Sequence, residues 1–164
     1  MYGTIYADTI NGYEGNDTIR GLQGVDLIKG GDGNDYIVGD QGDDWLLGED
    51  GNDTIDASNT THVINLSGGA GDDIITGGSS NDIFNIDSGE DTVNDLTTGD
   101  VFVVSAGATL NAINVTNFIA NNSSKNEHAT GTAKLTAKAS TTSVIKMNNA
   151  GAGKYNLVAG SGTD

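Results

Sequence analysis

Five aspartates stand nine residues apart, Asp17, Asp26, Asp35, Asp44 and Asp53, each two residues after a glycine. Residues 12–56 divide into five blocks, GYEGNDTIR, GLQGVDLIK, GGDGNDYIV, GDQGDDWLL and GEDGNDTID. Each block has glycine first and fourth, aspartate sixth and an aliphatic residue eighth. The glycines are Gly12, Gly15, Gly21, Gly24, Gly30, Gly33, Gly39, Gly42, Gly48 and Gly51. Carboxylates that recur in phase inside glycine turns suit a metal better than acid–base work. Glycine reaches positive φ at little steric cost, so the chain bends and turns its carbonyls inward. The aspartates then add anionic oxygens, and many hard oxygens, partly anionic, suit Ca²⁺. Asp32 and Asp50, at third places, are counted among these candidate ligands.

Such carboxylates need a repeating frame. A fixed period held over five blocks without a gap signals a solenoid. The first six residues of a block read as a turn and the last three as a short strand. Alternation along the strand puts Ile19, Ile28, Ile37, Leu46 and Ile55 on one buried line. The beat extends both ways. Residues 3–11 keep Asp8 and Ile10 but carry Tyr6 at the fourth place. Residues 57–65 keep Ile64 for the core line but lose the glycines, and His62 stands where aspartate is expected. This block reads as a strand without a metal turn, because Ca²⁺ prefers oxygen to imidazole. Leu66 and Ser67 read as two inserted residues. The phase resumes at Gly68, Gly71 and Asp73, continues at Asp82, and fades through Asp91 and Asp100, with Ile75, Phe84, Val93 and Phe102 extending the core.

These blocks resemble the repeats-in-toxin (RTX) nonapeptide, Gly-Gly-x-Gly-x-Asp-x-aliphatic-x, which residues 30–38 match without a departure. The resemblance implies an all-β fold, a parallel β-roll with two nonapeptides per coil and calcium in the turns, between blocks two apart. The aspartates then separate onto two edges. A first edge carries Asp17, Asp35, Asp53, Asp73 and Asp91. A second carries Asp8, Asp26, Asp44, His62, Asp82 and Asp100. The firmest sites pair Asp17 with Asp35, Asp35 with Asp53, Asp26 with Asp44, and Asp73 with Asp91. Asp82 with Asp100 follows, and Asp8 with Asp26 and Asp53 with Asp73 are weaker, the last because of the insertion. Counting stacked pairs gives roughly five to seven calcium ions.

Charge sharpens the expectation. The chain of 164 residues carries −16, yet residues 1–100 hold 21 acidic residues against Arg20 and Lys29, a balance of −19. Such a segment repels itself open unless cations compensate, so folding on calcium is expected. So acidic a surface disfavours nucleic acid. No apolar run reaches membrane-spanning length, and with the repeats starting almost at once no cleavable leader is expected. Cysteine is absent, which excludes disulfides and thiol chemistry.

The chain divides into a roll at 1–103 with an insertion near 57–67, an Ala/Asn/Thr-rich β appendage at 104–158, and the start of a truncated further repeat at 159–164. Within the appendage, 132–139, 143–147 and 154–158 read as strands and 121–128 as an exposed tip. One sheet shows Leu27, Trp45, Leu47, Val63, Ile83, Val101 and Val103 outward, too apolar for a free surface. The appendage or another copy would cover it.

An enzyme is not expected. His62 and His128 lie far apart, and a Ser-x-x-Lys match at Ser143 and Lys146 lacks its companion motifs. The leading reading is a calcium-binding structural module of a secreted or cell-surface bacterial protein, of surface-layer or adhesin type. The resemblance implies export by type I secretion. The alternative is an accessory RTX module of a type I-secreted enzyme or toxin, assisting folding or substrate binding.

Overall fold

A computed structural model of the chain describes residues 1–94, 96–97, 99–105 and 108–115, with strands at 125–126, 132–137 and 154–158. All described elements of regular structure are strands. They are β1 (Thr9–Glu14), β2 (Thr18–Gln23), β3 (Leu27–Asp32), β4 (Tyr36–Gln41), β5 (Trp45–Asp50), β6 (Thr54–Asp56), β7 (Asn65–Ala70) and β8 (Ile74–Thr76). Then follow β9 (Ile83–Ile86), β10 (Glu90–Asn94), β11 (Val101–Val104), β12 (Thr109–Val115), β13 (Lys125–Asn126), β14 (Thr132–Ala137) and β15 (Lys154–Val158).

The strands alternate between two parallel sheets, β1-β3-β5-β7-β9-β11-β13 and β15-β14-β12-β10-β8-β6-β4-β2. Register makes the period visible: Ile19 pairs with Ile37 and Ile28 with Leu46, so one coil takes two nonapeptides. The result is the expected parallel β-roll, a solenoid of about six turns. Its axis is filled by Ile19, Ile28, Ile37, Leu46, Ile55, Ile75, Phe84, Val93 and Phe102, all with no exposed surface. Each fully buried aliphatic contributes about 1.5–3 kcal/mol. One such residue per nine is a thin core for so acidic a chain.

Several expectations change. In the regular coils the strands are six residues long rather than three, because each crosses the block boundary and takes in the first three places of the next block. The turn proper shrinks to the Gly-x-Asp that follows.

The insertion also lies elsewhere. Leu66 pairs with Leu46 and is fully buried, so it occupies the aliphatic place rather than an inserted one. The two extra residues belong to the 57–64 turn. Ile64 is buried, but its backbone takes the aspartate slot, donating its amide to the Asp82 carboxylate at 3.0 Å. His62 is therefore not the aspartate's replacement.

The outward face is corrected with it. Val63 falls outside the strands, and Asn65 and Ser67 take its rung on β7, opposite Trp45 and Leu47. The apolar stripe is thus broken by a polar rung. In the later blocks Ile86 and Val104 are buried where earlier blocks have glycine.

Beyond residue 105, β12, β14 and β15 add successive rungs to the even-numbered sheet, and β13 pairs with β11. The expected strand at 154–158 is present, and the one expected at 132–139 is present over 132–137, with 138–139 outside the described residues. The expected features at 121–124, 127–128, 143–147 and 159–164 lie outside the described residues.

Candidate metal centre

The sixth-place aspartates form two columns, one along each edge of the roll. In each column a carboxylate accepts, through Oδ1, the backbone amide of the aspartate one coil earlier. On the first edge Asp17 donates to Asp35 at 2.7 Å, Asp35 to Asp53 at 2.7 Å, Asp53 to Asp73 at 2.8 Å and Asp73 to Asp91 at 3.1 Å. The Asp53–Asp73 step spans the insertion with the same geometry as its neighbours, so the insertion does not weaken it. On the second edge Asp8 donates to Asp26 and Asp26 to Asp44, both at 2.9 Å, and Asp82 donates to Asp100 at 2.9 Å.

The other carboxylate oxygen decides the chemistry. Oδ2 of Asp17, Asp26, Asp35, Asp44, Asp53, Asp73 and Asp91 is buried without a hydrogen-bond partner. A buried anionic oxygen with no partner is strongly unfavourable. Its surroundings are shaped for a ligand. A β-carbon added at Gly12 would strike both Asp17 Oδ2 and the Gly30 carbonyl, and one at Gly21 would strike Asp26 Oδ2 and the Gly39 carbonyl. At Gly30 the pair is Asp35 Oδ2 with the Gly48 carbonyl, and at Gly48 it is Asp53 Oδ2 with the Gly68 carbonyl. First-place glycine thus keeps open a cradle where a carboxylate and a carbonyl of the next coil converge. Gly39 and Gly68 likewise abut Asp44 Oδ2 and Asp73 Oδ2.

Among the described residues, no three acidic or histidine side chains gather as a metal cluster. A cation here would take carboxylates from stacked coils and complete its shell with carbonyls, as Ca²⁺ tolerates. The residues fit calcium: Asp17, Asp26, Asp35, Asp44, Asp53, Asp73 and Asp91 would hold it. It would supply the positive charge that these buried oxygens lack. Asp82 and Asp100 differ, since Gly78 donates its amide to Asp82 Oδ2 at 2.7 Å and Thr97 donates its amide to Asp100 Oδ2 at 2.6 Å.

Burial pushes these carboxyls above the ordinary range. Asp44, Asp53 and Asp100 rise to about 6 and Asp91 to about 7, while Asp26, Asp35 and Asp73 also rise. Desolvation dominates each, opposed by the amide donated from the preceding turn and, at Asp100, first by the Thr97 amide of its own turn.

Fourth-place Gly15, Gly24, Gly33, Gly42, Gly51 and Gly71 all adopt positive φ, from 109° to 150°. Gly33 shows why. Its φ is +133°, and a β-carbon there would meet the Gly15 carbonyl one coil back. Asp32 and Asp50 are exposed at the ends of β3 and β5. Their carbonyls accept the amides of Gly15 and Gly33, both at 2.7 Å.

Two features escaped the sequence reading. Asn16, Asn34, Asn52 and Asp72 form a second ladder on the first edge, each side-chain oxygen accepting the amide of the corresponding residue one coil later at 2.8–2.9 Å. The recurring Gly-Asn-Asp was its signal. The second place also bends left-handed, at Tyr13, Leu22, Asp40 and Glu49 with φ of 68–81°. The second glycine of residues 30–38 was the clue.

The sequence profile of the RTX calcium-binding nonapeptide repeat, in four copies, matches residues 2–37, 29–59 and 65–93, more than half of the chain. The chain belongs to the RTX calcium-binding nonapeptide repeat family. Among curated proteins and among solved structures, no match to it is found. It is an RTX calcium-binding repeat module. Among the described residues of this RTX roll, no helix is long and apolar enough to cross a membrane.

Proposed function

We propose that this RTX roll is a non-catalytic structural module of a secreted or cell-surface bacterial protein, of surface-layer or adhesin type, which folds when it meets extracellular calcium. The observation that carries the reading is the set of seven buried, unpartnered aspartate oxygens. A fold that buries so many uncompensated anionic oxygens is incomplete until cations arrive. Calcium-poor conditions before export would keep the chain open, and millimolar calcium outside would close it. Export by type I secretion belongs to the same proposal.

Self-association through the face carrying Leu27, Trp45, Leu47 and Ile83 is part of it in reduced form. Trp45 is half-exposed and Leu27 and Leu47 partly so, but Asn65 and Ser67 separate them from Ile83. The available stripe is short, which fits weak contacts multiplied over an array.

The test is a calcium titration followed by circular dichroism and analytical ultracentrifugation on the same samples. A coil-to-β transition between sub-millimolar and millimolar calcium supports the module, and assembly at the same step supports the surface role. A β spectrum in excess chelator that calcium leaves unchanged would refute calcium-coupled folding.

A further inference from the structure

We propose that, among the described residues, calcium is confined to one uninterrupted stack, Asp17 to Asp91, and one short pair, Asp26 with Asp44, and that the turn at 57–63 and the donors facing Asp8, Asp82 and Asp100 make the rest of the second edge independent of metal. The proposal rests on the calcium reading above and refines it by assigning which carboxylates bind.

On the first edge all five aspartates keep an unpartnered Oδ2. Each adjacent pair is locked by an amide-to-carboxylate bond, which gives four inter-coil positions. The stack ends at Asp91, because the first place of its block is Ile86, fully buried, where earlier blocks have glycine.

The second edge divides. Asp26 and Asp44 are both unpartnered at Oδ2 and locked to each other, giving one position. Past Asp44 the second oxygen is missing. The rung that should carry the next aspartate carries Ile64.

The intervening turn is closed by its own bonds. The Thr60 amide donates to the Ala57 carbonyl at 3.2 Å, and the His62 amide donates to the Thr60 hydroxyl at 3.0 Å. The Ser79 amide of the following coil donates to the Thr60 carbonyl at 3.4 Å. Further on, Asp82 and Asp100 already receive amides from Gly78 and Thr97 on Oδ2, and the Thr97 hydroxyl adds a third contact at 3.1 Å. At the other end the Thr4 amide and hydroxyl do the same for Asp8, at 2.6 and 2.8 Å. N–H and O–H donors thus stand where the other sites leave an oxygen for a cation.

The experiment counts ions bound to the whole chain by equilibrium dialysis against calcium chloride at neutral pH, with far-ultraviolet circular dichroism to confirm folding. The described residues of the wild-type chain bind five, four along the first edge and one on the second. Asp82→Asn and Asp100→Asn keep that count, and Asp44→Asn loses one ion. Replacing residues 57–67 with a copy of residues 30–38 supplies the missing aspartate, glycines and register, and raises the count above five. This gain cannot arise from misfolding. A wild-type count of seven, a loss of ions in Asp82→Asn or Asp100→Asn in calcium-folded protein, or a graft that folds and stays at five would each overturn the proposal. No ions on the wild-type chain would sink the calcium reading itself, and this inference with it.

Discussion

The two edges of the roll solve one problem in different ways. Both must bury a column of carboxylates, one per coil, to hold the turns in register. The first edge leaves an oxygen of every aspartate open, and adds the Asn16–Asn34–Asn52–Asp72 ladder to keep the coils stacked. Among the described residues, the second edge leaves only Asp26 and Asp44 open and satisfies Asp8, Asp82 and Asp100 with N–H or O–H donors. A buried carboxylate tolerates either a cation or convergent hydrogen-bond donors, but not neither. The first solution makes the fold conditional on an external ion, and the second makes it local and permanent.

The largest expected effect comes from removing that ion. A site filled at a hundredfold excess over its dissociation constant adds about 2.7 kcal/mol, so five sites add about 13 kcal/mol. That equals the whole stability of an ordinary domain, about 5–15 kcal/mol. Excess chelator at neutral pH should therefore abolish the cooperative urea transition of the roll. Circular dichroism checks this, and a transition that persists with an unchanged midpoint would mean that the open oxygens of the first edge are not the weak point.

A matched pair of substitutions separates the edges. Asp35 belongs to two stacked pairs, so Asp35→Asn in saturating calcium should cost about 5 kcal/mol, two sites' worth. Asp100→Asn keeps an acceptor oxygen for one of its donated amides and should cost about 1 kcal/mol. Urea midpoints in calcium measure both. Equal costs would erase the distinction between the edges.

Acid offers a smaller, reversible test. Asp44 and Asp53 have folded-state values of about 6 and Asp91 about 7, against about 4 for an unfolded carboxylate. Between about pH 4 and 7 the folded, calcium-free chain therefore holds more protons than the unfolded one. Its stability rises as pH falls through that window and is lost as pH climbs through the folded values. In chelator, the β signal should grow on acidification from neutral pH toward 5. With calcium present the trend reverses, because protons compete for the same oxygens. A calcium-free chain whose β signal shrinks on acidification would contradict burial as the dominant cause.

Much of this was legible in the sequence, because the period carries it. Gly-x-Asp at fixed spacing marked the turn and the aliphatic eighth place marked the core line, while the resemblance to RTX repeats, with two blocks per coil, put Asp17 over Asp35 and Asp26 over Asp44. What stayed hidden depends on partners distant in the chain. Nothing near Asp82 says that the Gly78 amide turns toward its carboxylate, and nothing near Asp100 shows Thr97 doing the same. The irregular turn at 57–64 misled the phase because buried Ile64 suits either of two places. Only the pairing of Leu66 with Leu46 fixes which one it takes.

The finest difference between the edges lies at the second place of each block, where the chain bends left-handed. On the first edge Gly31 and Gly69 take that bend in alternate coils, with φ of 114° and 109°, between Tyr13 and Glu49. On the second edge Leu22 and Asp40 hold it without a glycine nearby in the column. A side chain in this region costs about 1–2 kcal/mol. Glycine relieves that cost but returns about 0.5–1 kcal/mol through its freer unfolded chain. Tyr13 is 74% exposed, so its replacement loses little packing. Tyr13→Gly should therefore gain about 0.5 kcal/mol in saturating calcium. Asp40→Gly should gain nothing measurable, because Asp40 pairs with the Arg20 guanidinium and such a surface pair is worth up to about 1 kcal/mol. Paired urea midpoints in calcium resolve the two. A loss of stability in Tyr13→Gly would show that the left-handed bend is relaxed rather than strained, and that the alternation of glycines along the first edge has no energetic meaning.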